Sequence, residues 1–108
     1  MVSKLHEAGA ILLGKESMAE WASFRGDKVP NGFSARCGQT TAPYYPNLDP
    51  SASSSGSAVA AAVGLATATL GSETTGSIVL PASRNNIVGI KPTVGLVSRS
   101  GGELVTHI

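Results

Sequence analysis

The apolar positions fall into short runs separated by glycine, serine and proline. Residues 3–9 (SKLHEAG) place Leu5 and Ala8 three apart and end in Gly9, a pattern that predicts the close of a helix. Residues 10–13 are a continuous apolar run closed by Gly14, consistent with a buried strand. Ser17 with Glu20 three residues on has capping-box spacing, predicting a second helix with Met18, Ala19, Trp21, Ala22 and Phe24 on its apolar side. Helix, strand, helix is an α/β rhythm. From residue 25 to 55 prolines, glycines and asparagines break every period. Loops of this length are usually functional or disordered, and Phe33, Tyr44 and Tyr45 argue for an ordered loop lining a site. Residues 56–66 form a small, all-apolar helix, which predicts burial and close approach by neighbours. Strands are expected at 67–70, 87–90 and 94–97, a polar loop at 71–77 and a short helix at 77–83.

Composition changes this picture in one respect. The chain has 108 residues, 42 % of them apolar, but much of that share is alanine and only 5 % is aromatic. Burial of alanine contributes far less than the ~1.5–3 kcal/mol of a buried Leu or Phe. Such a chain fits the interior of a larger body better than a self-sufficient domain. Net charge is +1, with eight basic and seven acidic residues scattered along the chain. That excludes the basic stripe of a nucleic-acid binder and the cationic face of a membrane-surface helix. No apolar run approaches the ~20 residues a bilayer requires, and His6 and Glu7 interrupt any signal-peptide pattern. A cytoplasmic location is the expectation. The single cysteine, Cys37, rules out an internal disulfide or a multi-cysteine metal site, and no cofactor is expected.

Two segments carry candidate chemistry. DPSASSSGSA (49–58) packs hydroxyls against a helix start, with more serines than an N-cap requires. LGSETTGSI (70–78) is a glycine-framed loop ending in Ser77. Gly71 and Gly76 have the outer spacing of a phosphate loop, but Ser77 stands where its lysine belongs, so a nucleotide site is rejected. The GxSxG elbow of α/β-hydrolases is absent as well.

Taken in order, these two segments, PAS (81–83), VGIKPTVG (88–95), LGKESMAEW (13–21) and VSRSG (97–101) resemble the amidase signature hydrolases. The wording GQTTAPYYPN (38–47) is most similar to fungal and plant members. The resemblance covers nearly the whole chain. It implies an α/β fold, a mixed β-sheet core covered by helices, of which residues 1–108 form a central part with the signature region at 49–93. It implies Ser77 as nucleophile and Ser53 as the serine that relays the proton, with a cis peptide bond between Ala52 and Ser53. It also implies an oxyanion hole from the backbone N–H groups of Thr74, Thr75, Gly76 and Ser77, and a small-molecule amide as substrate.

The chemistry of the residues is compatible with those roles. A serine hydroxyl needs a base to become a nucleophile. His6 and His107 lie near the ends of the chain, which disfavours a Ser-His-Asp triad. A lysine acting through a second hydroxyl is the remaining solution, and in the family it lies farther upstream than the 52 residues before Ser53. Lys4, Lys15, Lys28 and Lys91 match nothing that supplies the base. The family often has glycine where this chain has Ala52, Ser55 and Thr75, and an arginine where Val79 stands. Two readings follow: the central segment of an amidase, or a non-catalytic remnant acting as a binding or structural module.

Overall fold

A computed structural model describes residues 1–101. Helix α1 spans Val2–Glu7, a 3₁₀ turn Glu20–Ser23, strands β1 and β2 Phe33–Ser34 and Gly38–Gln39, helix α2 Ser55–Ala62, and helix α3 Val79–Arg84. The chain divides into two compact units, one of Met1–Lys15 with the segment from Pro92 onward, the other Glu16–Lys91.

All three helices stop by the same device. After α1, Gly9 (φ 89°) turns left-handed while its N–H donates to His6 O at 2.9 Å and the Ala10 N–H to Leu5 O at 2.9 Å. After α2, Gly64 (φ 74°) does the same, with N–H groups of Gly64 and Leu65 reaching Ala61 O and Ala60 O. After α3 the left-handed residue is Asn86 (φ 56°), followed by Ile87 N–H to Ala82 O. These are Schellman closures, which satisfy carbonyls left open at a helix end. The Gly9 stop was legible in the sequence. The extension of α2 to residue 66 is corrected by Gly64, which ends it at Ala62 and leaves Val63 and Leu65 exposed.

The core of the 16–91 unit is built from small side chains: Ala19, Ala42, Ala58, Ala60 and Ala82 are buried, with Pro50, Pro81, Ser53, Ser54, Ser55 and Asn85. Small residues let backbones approach closely. A Cβ on Gly56 would lie 2.2 Å from Ser17 O, one on Gly89 2.5 Å from the Ala82 Cβ, and one on Gly71 2.9 Å from the Ser54 Oγ. The close approach expected of the Ala-rich helix is therefore present, at glycines as much as alanines.

The expected second helix is not formed. Ser17 O accepts the Gly56 N–H at 3.0 Å and Ser17 Oγ bonds Thr40 Oγ1 at 2.9 Å, so the capping residue serves tertiary contacts instead. Trp21, Ala22 and Ser23 all take positive φ, which replaces a right-handed helix by a left-handed turn. The expected strands at 10–13, 67–70, 87–90 and 94–97 carry no ladder, and the mixed sheet is not seen among the described residues. The strand pairing described is the two-residue antiparallel pair, Phe33 opposite Gln39 and Ser34 opposite Gly38. A strand exists through hydrogen bonds to a neighbouring strand, and residues 10–13 and 87–90 pair with none among the described residues; Ile11, Leu13, Val88 and Ile90 are 73–87 % exposed. Residues 94–97 are instead a turn, closed by Leu96 N–H to Thr93 O.

Candidate active site

The approach to Ser53 is a tight reversal. Asp49 Oδ1 accepts the Ser51 N–H at 2.7 Å and Oδ2 the Asn31 amide at 3.1 Å. This is the local side-chain turn for which aspartate is suited. Ser51 (φ 67°) and Ala52 (φ 44°) then run left-handed and carry the chain inward. The expected cis bond between Ala52 and Ser53 is not found: no peptide bond among the described residues is cis, and these two left-handed torsions make the reversal. Ser53 arrives 2 % exposed; its carbonyl accepts the Ala19 N–H at 2.9 Å, and its hydroxyl has no hydrogen-bond partner.

Ser54 joins the two serine segments. Its N–H donates to the Ser77 carbonyl at 3.1 Å. Its Oγ accepts the Ser72 N–H and donates to the Ser72 carbonyl, both at 3.1 Å. Ser54 is also the N-cap of α2, yet it makes no side-chain cap bond, since that hydroxyl is committed to Ser72. The cluster of serines thus serves pairing across the fold and not capping. Ser54, which follows Ser53 and whose N–H bonds the Ser77 carbonyl, is a residue that the sequence did not single out.

The loop 71–77 is organised from inside. Glu73 Oε1 accepts the Gly76 N–H at 2.7 Å, and Oε2 accepts those of Ile78 at 2.6 Å and Val79 at 2.9 Å. Partial burial pushes the Glu73 carboxyl up, but the three N–H donors and the Lys91 charge outweigh it and hold the group below its ordinary value. Gly76 supplies the left-handed turn (φ 78°) that aims the chain at Ser77. Of the four N–H groups expected to form an oxyanion hole, that of Gly76 is engaged by Glu73. Those of Thr74, Thr75 and Ser77 have no acceptor among the described residues. Thr74 and Thr75 are exposed, and Ser77 is half-buried.

Asn85 ties α3 to the turn before Ser53, and its role was invisible in the sequence. It is fully buried, its side-chain amide donating to Pro50 O at 3.0 Å and Pro81 O at 2.8 Å, while its backbone carbonyl accepts from the Tyr44 hydroxyl at 2.9 Å. A cleft of about 390 Å³ lies next to this turn, between Val29–Asn31, Gln39–Thr41 and Asn47–Pro50, but neither Ser53 nor Ser77 lines it. Cys37 is exposed. Among the described residues no cluster of His, Cys, Asp and Glu could hold a metal ion, and no helix is long and apolar enough to cross a membrane. His107 lies outside the described residues.

Comparison with known proteins finds relatives over most of the chain. A putative amidase of the fungus Arthroderma benhamiae is 59 % identical over 99 residues, 92 % of this chain and 17 % of that protein. A probable amidase of Arabidopsis thaliana is 52 % identical, covering 94 % of this chain and 20 % of the relative. The crystal structure of a peptide amidase from Stenotrophomonas maltophilia superposes with a TM-score of 0.89 at 57 % identity, over 91 % of this chain and 20 % of that one. The chain therefore spans about a fifth of the length of the relatives it matches. The profile of the Amidase family matches residues 1–107, and with these relatives it establishes that the chain belongs to the amidase family.

Proposed function

We propose that this chain is the nucleophile-bearing segment of an enzyme that hydrolyses carboxylic amides. The observation that carries the reading is the Ser54 N–H to Ser77 O hydrogen bond, which sets the buried Ser53 segment against the loop that ends in Ser77. In this reading Ser77 Oγ attacks the amide carbonyl carbon while its proton passes to Ser53 Oγ. Ser53 in turn releases its own proton to a lysine amine contributed from outside residues 1–108. The tetrahedral oxyanion is met by N–H groups of the 74–77 loop. The C–N bond then breaks, the amine leaves with the returned proton, and water hydrolyses the acyl ester on Ser77. The unpartnered, buried Ser53 hydroxyl supports the relay, since a buried hydroxyl without a partner costs about 1–3 kcal/mol and an amine beside it removes that cost.

The test is reaction with a serine-directed fluorophosphonate, followed by mass spectrometry. The whole polypeptide is expected to be labelled at Ser77, with labelling abolished in Ser77→Ala and slowed at least tenfold in Ser53→Ala. A folded protein that takes no label at Ser77 would favour the non-catalytic remnant and overturn the proposal. Residues 1–108 alone are expected to hydrolyse amides no faster than their Ser77→Ala variant.

A further inference from the structure

We infer that Glu73 is the positioning residue of the Ser77 loop: its carboxylate gathers the N–H groups of Gly76, Ile78 and Val79, fixes the turn beneath Ser77, and leaves the Thr75 and Ser77 N–H groups to face a developing oxyanion. The last clause rests on the amide-hydrolase reading above; the first does not.

The geometry divides the work between the two oxygens. Oε1 takes Gly76 alone, and Oε2 takes both Ile78 and Val79, at 2.6–2.9 Å. Two acceptor atoms are therefore required. A glutamine offers only one, and whichever way its amide is turned an NH₂ donor confronts an N–H donor. Either Gly76 or the Ile78–Val79 pair loses its partner. Isosteric replacement thus tests the charge and the second oxygen without changing volume.

The carboxylate also acts by exclusion. An anion held by three N–H groups is a preorganised hub of the kind that anchors tight turns, and it keeps the Gly76 N–H pointing into the loop. Gly76 adopts φ 78°, and while its carbonyl is held by the Leu80 N–H at 2.9 Å, its own N–H is held by the Glu73 carboxylate. The Ser77 carbonyl is separately held by Ser54, so the loop is fixed at two points on either side of the nucleophile. Lys91 is the charged group that acts on Glu73, and it favours the ionised form. Glu73, which decides which N–H groups are free, lies just before the residues expected to touch the oxyanion.

The experiment has two arms on the intact protein. In the first, proton–nitrogen correlation spectra are recorded against pH. The Gly76, Ile78 and Val79 amide protons are expected to move together with one apparent pKa below that of free glutamate. That shared transition should vanish in Glu73→Gln, and the Thr75 and Ser77 amides should not follow it. Independent titration of the three, or no titration, overturns the inference. In the second arm, the rate of fluorophosphonate reaction at Ser77 is measured against probe concentration. Glu73→Gln is expected to lower the maximal rate roughly tenfold or more, short of the roughly 10²–10³-fold loss when an oxyanion donor is removed outright, with half-saturation within about twofold. Glu73→Asp, which keeps the charge and both oxygens, is expected to recover part of it. An unchanged maximal rate in folded Glu73→Gln overturns the positioning role. If the native protein takes no label, the amide-hydrolase reading fails while the spectra still decide whether Glu73 holds the loop. If Glu73→Gln does not fold, the native titration and the Glu73→Asp rate decide.

Discussion

Gly56 is the position at which helix propensity and tertiary structure make opposite predictions. It sits in the first turn of α2, where alanine is favoured over glycine by about 1 kcal/mol on propensity alone. Gly56→Ala should then stabilise the protein. The structure says otherwise. The new Cβ would lie 2.2 Å from Ser17 O, 2.8 Å from Ser17 N and 2.8 Å from Ser17 Oγ, against the 3.4 Å at which ordinary contact begins. Two of those atoms are backbone, so residue 17 must retreat by about 1.2 Å, the gap between 2.2 and 3.4 Å. Two hydrogen bonds are made by Ser17 itself, Gly56 N to Ser17 O at 3.0 Å and Ser17 Oγ to Thr40 Oγ1 at 2.9 Å, and a third, Ala19 N to Ser53 O at 2.9 Å, lies two residues along the same displaced segment. At about 1 kcal/mol net each, their loss removes roughly 3 kcal/mol. Propensity returns about 1, leaving the variant about 2 kcal/mol less stable. With a urea slope of about 2 kcal/mol per molar, the midpoint should fall by about 1 M at unchanged slope. The same displacement loosens Ser53, so fluorophosphonate labelling of Ser77 should slow as well. Gly64→Ala is the control. No atom lies within 4 Å of its added Cβ, and only the left-handed φ of 74° opposes it. That costs about 1–2 kcal/mol and should leave labelling untouched. A Gly56→Ala midpoint equal to or above that of the native protein would refute the close approach of Ser17.

Two further outcomes are expected. Asn85→Ala removes two donated bonds and leaves the Pro50 carbonyl without its partner, so a loss of about 2–4 kcal/mol in urea unfolding is expected, with slower labelling of Ser77 because Pro50 begins the turn to Ser53. The Glu73 carboxyl is held low in the folded state. Its contribution to stability is therefore present above the ordinary glutamate value and is lost as pH falls through the folded one. An acid titration of the unfolding midpoint should show that limb in the native protein and a shallower one in Glu73→Gln.

The candidate segments were easier to single out in the sequence than the architecture. The serine-rich stretch 49–58 and the glycine-framed loop ending in Ser77 stand out by residue type and order, and the roles expected of Ser53 and Ser77 come from the family resemblance. The helix stops were half legible: Gly9 was recognised, whereas Gly64 was passed over because the alanine pattern continues on both sides of it. The strands were misjudged for a different reason. Apolar runs such as residues 10–13 and 87–90 record a capacity to be buried, and a ladder requires a second strand that the run itself does not specify.

What the sequence determined by itself is local: where the backbone can turn left-handed, where small residues permit close approach, and which hydroxyls, carboxylates and N–H groups are available. Family membership follows from that order of residues, and the comparisons agree. What the tertiary structure alone decided is partnership. Ser17 looked like a cap and instead receives Gly56; Ser54 looked like one serine among three and instead pairs the two serine-bearing segments. Glu73 looked like a loop residue and is the hub of that loop. A hydrogen-bonding group is fixed by the sequence, but its partner depends on which distant backbone the fold brings within 3 Å.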